Sequence, residues 1–521
     1  MGLRIPWRVL GPLSSGVLLA AATPPAPSPL LPFVALVPLA AYLMGTQTET
    51  RAALSAIHAG MLVGAVQHGW GLRWLPFTMT SVAGPTAGWL TFAAVLAVLS
   101  VASGAATWAT HRLLTGRHPL PIALALPITW TALEWGLAHL PFGLAFPWAP
   151  LGLGLARWPQ ALGLAEVIGV GGVTAWLACV NGLLAGAFDR TSASARARGA
   201  GPMFVPGVAA LLVAVLPVTW GFARASVLGD EIATPAVGRV TAVALAVPPG
   251  AADLEWTSTA VDATGRALDG LAEGVTDLVV LPEMIVAVDP VSPGGASQVG
   301  RLRDWAAHLG APLLVGTLSV EDGRSYNSAV LLSGRGIGKF RADKRHLVPG
   351  VERATVVRAP WLAPVGSGGY APGDGWPVAG AGTLRVGVLL CFEVAFSADA
   401  RALVRNGANA LAALTSDAWF GGGPGARGAG IAQQMAHLTV RVVETRVGAV
   451  RASNGGPAVI LGPAGREEGR AAPGLVAGIV RTAPHQTLFV RTGDLAGPLA
   501  ALSLLLLMTS KCRTHLTNWK T

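Results

Sequence analysis

Apolar positions along this chain fall into two regimes. Up to about residue 225 they form long unbroken blocks; beyond it they form short β-branched runs separated by loops. The blocks cover 12–22, 30–45, 53–72, 88–110, 120–140, 161–188 and 204–223, with the first two parted by "TPPAPSP". A bilayer core takes ~20 residues of helix, so the first block is short and the 161–188 block is long enough to fray or tilt. A last run, "LAGPLAALSLLLLM" (495–508), reaches that length only with its flanks. The pattern predicts a membrane α-helical bundle of about eight spans, seven before residue 225 and one after 490.

Between them the period shortens. "VTAVALAV" (240–247), "DLVVLPE" (277–283), "PLLVGTLSV" (312–320), "SAVLLS" (328–333), "RVGVLLC" (385–391), "NALAALTSD" (409–417) and "VGAVRASN" (447–454) read as strands buried on both faces. "DATGRALDGLAEG" (262–274) and "AQQMAHLTVRVVETR" (432–446) read as helices between them. The expected division is a membrane domain over 1–225, an α/β domain over 226–490, and a final helix with a short tail over 491–521.

Composition agrees with lipid as the solvent of much of the chain. Hydrophobic residues make up 52% and charged residues 12%, against about 25% charged in soluble domains. The net charge of +10 does not indicate a nucleic-acid binder, because no basic run is interleaved with aromatics. The basic residues instead follow topology. Arg4, Arg8, Arg51, the 111–118 and 189–199 loops, Lys511 and Arg513 fall on one face, while the opposite loops, 23–29, 73–87 and 141–160, hold only Arg73 and Arg157. The excess of positive charge on cytoplasmic loops then puts both termini in the cytoplasm and the α/β domain outside it.

Candidate chemistry lies at strand ends. The 3 cysteines, Cys179, Cys391 and Cys512, are scattered and form no CxxC pair, so neither a zinc site nor a disulfide framework is expected. With no metal-ligand cluster and no phosphate loop, no cofactor is expected. Cys391 ends a core strand, Glu283 follows a strand and a proline, and Lys344 lies among Lys339, Arg341, Arg345 and Arg353. Taken singly, these read as a small buried hydrophobe, a loop carboxylate and an ordinary basic loop. Together they supply what acyl transfer through a thioester requires: a nucleophile, a base for its proton, and a cation for the thiolate and the oxyanion. His346 fits less well as a base, since in an extended segment it points away from its neighbours.

"LPE", "DKRHLVPGVE" and "LLCFE" resemble the nitrilase, or carbon–nitrogen hydrolase, superfamily, which uses a Glu–Lys–Cys triad on an αββα sandwich. With flanking spans, and with "FPWAPLG" (146–152), "SDAWFG" (416–421) and "VRTGD" (490–494), the chain resembles the apolipoprotein N-acyltransferase family. That resemblance implies Glu283 as general base, Lys344 as oxyanion stabiliser and Cys391 as nucleophile. It further implies Glu352 as support for the lysine, Glu393 beside the acyl or amine site, and Trp419 at the site's mouth. The partners implied are a phospholipid acyl donor, a diacylglyceryl-modified lipoprotein acceptor and the membrane lipids around a monomer; no nucleic acid is implied. The localisation implied is the bacterial cell membrane.

Two departures stand out. Phe392 occupies a position where that family often has tyrosine, and the glycine-rich 421–430 segment lacks the family's histidine and is expected to be a mobile loop. Two rival readings stay open on the sequence alone. One is a membrane amidase or acyltransferase with another acceptor; the other is a non-catalytic lipid- or lipoprotein-binding paralogue.

Overall fold

The computed structural model describes residues 7–48, 50–116, 118–189, 204–229, 234–250, 253–353 and 369–517. Arg4 and the basic run over 190–199 lie outside these, as do the side chains of Arg8, Lys511, Cys512 and Arg513.

Every apolar block becomes a helix. They are α1 (Trp7–Ala22), α2 (Val37–Gly45), α3 (Ala52–Gly71), α5 (Pro85–Thr115), α6 (Ile122–Ala138), α7 (Ala165–Asp189), α8 (Phe204–Leu228) and, at the far end after the short α13 (Leu488–Thr492), α14 (Ala496–Thr517). Among the described residues three helices, lying within α5, α7 and α8, are long and apolar enough to cross a membrane by those criteria alone. Small residues let the bundle close: a Cβ on Gly60 of α3 would collide with Thr107 of α5, whose hydroxyl donates to Ala56 O at 2.8 Å.

Two features of this half depart from the pattern. The segment 73–87, expected to be a loop, contains α4 (Leu75–Ala83), opened by Pro76 and closed by Gly84 at φ 86°. At 9 residues it is too short to cross a bilayer core, which takes ~20 residues of helix. The 161–188 block is helical only from Ala165, and Gly169 (φ 67°, ψ 176°) breaks the helix. A Cβ at Gly169 would lie 2.7 Å from the Phe489 ring, so the glycine both adopts the left-handed geometry and leaves room for that ring.

The second half is a four-layer sandwich. Nine strands run in the order β5-β4-β3-β2-β1-β9-β8-β7-β6, and β10, β11 and β12 attach beside β9 and β1. Their ranges are β1 (Ala236–Leu245), β2 (Leu278–Val280), β3 (Leu313–Glu321), β4 (Arg324–Ser333), β5 (Gly336–Asp343), β6 (Val378–Ala381), β7 (Leu384–Leu390), β8 (Ala410–Ser416), β9 (Ala449–Asn454), β10 (Ala458–Leu461), β11 (Glu467–Ala471) and β12 (Gly474–Arg481). The central pairs β3/β2, β2/β1, β1/β9, β9/β8 and β8/β7 are parallel. Alternate residues explain the layers. Val240, Ala242, Leu278, Leu314, Val386, Val388, Ala410 and Ala412 point into one shared inner core. The intervening residues meet helices: Val243, Val279 and Leu313 pack on α9 (Leu254–Leu268) and α10 (Pro293–Leu309). Leu389, Leu411 and Ala413 pack on α11 (Ser397–Arg405) and α12 (Pro424–Thr445). Helices outside and two sheet halves face to face give each strand two apolar sides.

The expected strands are all present, while β5, β6 and β10–β12 were not foreseen. Two of these, β5 and β11, carry charged, exposed residues with no apolar run to reveal them. Most of the 421–430 segment is helix rather than the expected mobile loop. Pro424 opens α12, leaving only 421–423 outside it, and Gly430 sits against the Phe420 ring where a Cβ would collide. α12 belongs to both halves: Leu438 and Val442 enter the sandwich core, while Ala436, Val440 and Val443 enter the core of the helical bundle.

Candidate active site

Each strand end delivers one polar group to a common point. Beyond β2, Pro282 holds the backbone and Glu283 turns inward, buried at 4% exposure. Gly316 on β3 permits this, since a Cβ there would lie 2.6 Å from the Glu283 backbone. Lys344 leaves β5 and is 1% exposed, with Nζ 2.8 Å from Glu283 Oε1 and 2.8 Å from Glu352 Oε1. Asn327 on β4 donates from Nδ2 to the same two oxygens at 2.8 and 3.1 Å. The remaining carboxylate oxygens accept backbone N–H groups, Glu283 Oε2 from Ser416 at 3.2 Å and Glu352 Oε2 from Val348 at 2.8 Å.

Cys391 follows β7 directly, at φ 50°, and opens a short 3₁₀ turn over Cys391–Ala395. A left-handed cysteine is strained, and strain of this kind persists only where the surroundings over-determine it. The turn lifts the thiol out of the strand line and toward the buried cluster. Burial first, and then the Glu283 charge, push the Cys391 thiol up to about 12, against the pull of Lys344. Burial opposes the Lys344 ammonium, yet Glu283, Glu352 and Cys391 hold it well above its ordinary value. The cation is therefore permanent and the resting thiol is protonated. Tyr370 stands by the same carboxylates: burial, then Glu352 and Glu283, push it up to about 12.

Glu393 is buried, and its carboxylate accepts from Leu390 N at 2.7 Å, Arg345 N at 2.7 Å and His346 N at 3.4 Å. It ties the end of the cysteine strand to the lysine segment. His346 points away, as its position predicts, stacked on Phe396 with Nε2 3.2 Å from Asp399.

Phe392 stacks near Trp148 (5.8 Å between ring centroids) and Phe146 (6.1 Å), and Trp74 meets Phe420 at 4.9 Å. The helical half thus supplies Phe146, Trp148 and Trp74 to an aromatic wall beside the cysteine turn. Trp419, at the end of the turn after β8, is 37% exposed.

The structure therefore brings Glu283, Lys344, Glu352 and Cys391 together and puts Glu393 against backbone rather than open space. Sequence reasoning missed Asn327 and Gln434. Gln434 Nε2 lies 3.3 Å from Cys391 Sγ. Each left a signal: a lone amide inside the strand "SYNSAVLL", and a "QQ" pair in an apolar helix. Among the described residues no group of three or more His, Cys, Asp or Glu side chains could hold a metal ion.

Known families match both halves. The apolipoprotein N-acyltransferase N-terminal domain matches residues 15–183 and the carbon–nitrogen hydrolase domain residues 241–466. An apolipoprotein N-acyltransferase of Geobacter metallireducens is 30% identical over 92% of this chain and 90% of its own length. One of Gloeobacter violaceus is 28% identical over 96% and 94%. Among solved structures, a nitrilase-superfamily amidase of Nesterenkonia aligns with 49% of this chain and 94% of its own, at 20% identity and a TM-score of 0.35.

Proposed function

The chain belongs to the apolipoprotein N-acyltransferase family, and we propose that its Glu283–Lys344–Cys391 centre performs the N-acylation of lipoproteins through a thioester on Cys391. It is an acyltransferase of lipoprotein biosynthesis, with a lipoprotein as acceptor and a phospholipid as donor. The observation that carries the residue assignment is the Lys344 ammonium, buried and shared between two carboxylates beside a strained cysteine.

In the first half-reaction the Cys391 sulfur attacks the sn-1 ester carbonyl while its proton passes to Glu283. The carbonyl oxygen becomes an oxyanion facing the Lys344 ammonium. The tetrahedral adduct collapses to the thioester, and the lysophospholipid alkoxide leaves with the proton held by Glu283. In the second, the α-amine of the diacylglyceryl-cysteine attacks the thioester and gives a proton to Glu283. The amide forms and the Cys391 thiolate is reprotonated. Because the resting thiol sits near 12, the proton must leave as the sulfur attacks, which suits a carboxylate base over a preformed thiolate. Glu352 shares the lysine charge, Glu393 fixes the two strand ends, and Phe392 with the aromatic wall keeps water from the thioester. Trp419 lines the approach.

The same reading includes about eight spans, cytoplasmic termini and an extracytoplasmic catalytic domain over 226–490 between a membrane domain (1–225) and a last helix (491–521), acting as a monomer in the bacterial cell membrane. It is supported by the positive charge on alternate loops and by the exposed leucines and valines of α8 and α14. Both substrates are lipids, and lateral delivery spares about 0.8 kcal/mol per CH₂ that would otherwise enter water.

Purified protein in detergent, given phospholipid and a diacylglyceryl-cysteine peptide with its amine free or blocked, tests this by mass spectrometry. One added acyl chain on the free-amine peptide alone, lost in Cys391→Ala, is the expected result. A Cys391 thioester that never passes to the peptide would overturn the acceptor. The absence of any thioester would overturn the enzyme assignment of Cys391.

A further inference from the structure

Gln434 sets its neutral side-chain amide against the cysteine sulfur, and its orientation is fixed from behind. Its Oε1 accepts from Arg451 Nη2 at 2.8 Å and from Thr415 Oγ1 at 3.0 Å. Arginine has no acceptor, so the amide oxygen must face Arg451 and the NH₂ must face Cys391 Sγ, 3.3 Å away. Arg451 cannot drift either. Its Nη2 lies 2.8 and 2.6 Å from the two oxygens of Asp417, its Nη1 donates to Pro457 O at 2.6 Å, and Asp417 also accepts from Ser453 Oγ at 2.7 Å. Arg451, Asp417, Gln434 and Ser453 are all buried. A buried chain of carboxylate, guanidinium and amide thus ends on the reacting atom, on strands and a helix distinct from those bearing Glu283 and Lys344.

We propose that Gln434 is a further catalytic residue, an oriented N–H donor that takes up the negative charge on Cys391 sulfur as Glu283 removes its proton and again when the thiolate leaves the thioester. Lys344 is held by two carboxylates and serves the carbonyl oxygen; Gln434 serves the sulfur. The division explains why a neutral donor suffices. A second cation at the sulfur would favour a standing thiolate, whereas an amide meets the charge only as it forms. Asp417 and Arg451 are positioning residues, acting through Gln434. Thr415 also faces the Cys391 sulfur, but its single hydroxyl proton goes to the amide oxygen at 3.0 Å and completes the orientation of Gln434.

The inference rests on Cys391 as nucleophile, and the test separates the two. Full-length protein in detergent is treated with iodoacetamide at pH 9, and alkylation is read on the Cys391 peptide by mass spectrometry; acyl-enzyme formation from phospholipid is followed in a single turnover. Gln434→Leu removes the donor, and Gln434→Glu keeps the contacts to Arg451 and Thr415 while removing the N–H. Hydrogen bonds to charged groups are strong enough that both rates should fall about ten- to hundredfold in either variant, with the KM for the acceptor peptide unchanged. Alkylation in Gln434→Glu at the wild-type rate would overturn the proposal, whatever happens to Gln434→Leu, because packing alone would then explain the residue. Failure of the Cys391 assignment would appear differently, as N-acylation surviving in Cys391→Ala.

Discussion

Glu166 of α7 and Arg446, the residue just past α12, form a buried ion pair across the join between the helical bundle and the sandwich. Arg446 adopts the left-handed conformation (φ 56°) and also donates to Pro463 O at 3.1 Å, while Arg224 of α8 reaches the other Glu166 oxygen at 3.0 Å. One carboxylate therefore clamps two membrane-type helices to the catalytic half. Removing it leaves Arg446 buried and uncompensated, which typically costs about 3–5 kcal/mol. Glu166→Ala should lower the thermal midpoint of the detergent-solubilised protein, followed by tryptophan fluorescence. An unchanged midpoint would show that the clamp carries no stability.

Gln433 holds the same join at the level of the aromatic wall. Its Oε1 accepts from Trp74 Nε1 at 2.9 Å and Trp148 Nε1 at 2.6 Å, and its Nε2 donates to Pro24 O at 3.1 Å and Gly71 O at 2.8 Å. Gln433→Leu orphans four groups, each costing about 1–3 kcal/mol if it stays buried. The expected response is loosening of the wall, read as faster amide hydrogen exchange over residues 71–74 and 146–148. Exchange there at the wild-type rate would refute it.

What the sequence made legible, and what it hid, divides along physical lines. The strands that carry Glu283, Cys391 and Asp417 could be read because both faces are buried and their residues are continuously apolar. The grouping of Glu283, Lys344 and Cys391 followed from the chemistry an acyl-enzyme needs, whereas Glu352 was reached only through the family resemblance. Strands β5 and β11 stayed hidden because their exposed charges erase the apolar run. Gln433 and Gln434 stayed hidden for a different reason. An amide inside an apolar helix announces that it needs partners, but Trp74 lies 359 positions from Gln433 and Cys391 lies 43 from Gln434. Only tertiary structure pairs them. Glycines misled in one place: "GGPGARGAG" suggested a loop, yet Pro424 starts a helix whose Gly430 is required by the Phe420 ring.

Glu393 should impart a pH dependence to stability. Burial first, then the neighbouring Asp399, push its carboxyl up to about 7, against the bonds from Leu390 N and Arg345 N. A value raised above the ordinary 4.5 means that the fold favours the protonated form. Its contribution is then complete below about 4.5 and is lost as pH rises through about 7. The wild-type thermal midpoint should fall between pH 5 and pH 8, and Glu393→Gln, neutral throughout, should flatten that fall. The same variant should lower acyl transfer, because its single amide oxygen replaces two carboxylate oxygens that accept backbone N–H groups at 2.7 Å from Leu390 and Arg345. A pH slope identical in both proteins would assign the titration to another group.

Alkylation of Cys391 and acyl transfer should respond to Glu283→Gln with opposite signs. Burial and the Glu283 charge both raise the thiol, to about 12. At pH 8 the thiolate is then about one part in ten thousand. Alkylation of resting wild-type protein should be slower than that of a free thiol and should rise about tenfold per pH unit between pH 7 and 10, with no plateau. Glu283→Gln removes a negative charge from beside the sulfur while leaving the Lys344 cation, so the thiol should fall and alkylation at pH 9 should accelerate. Acyl transfer should collapse in the same variant by about 10²–10⁴-fold, the usual contribution of a positioned base. Faster alkylation with lost transfer identifies Glu283 as the proton acceptor during attack. If both rates fell together, Glu283 would instead be holding the thiol in place, and the base would have to be sought elsewhere in the cluster.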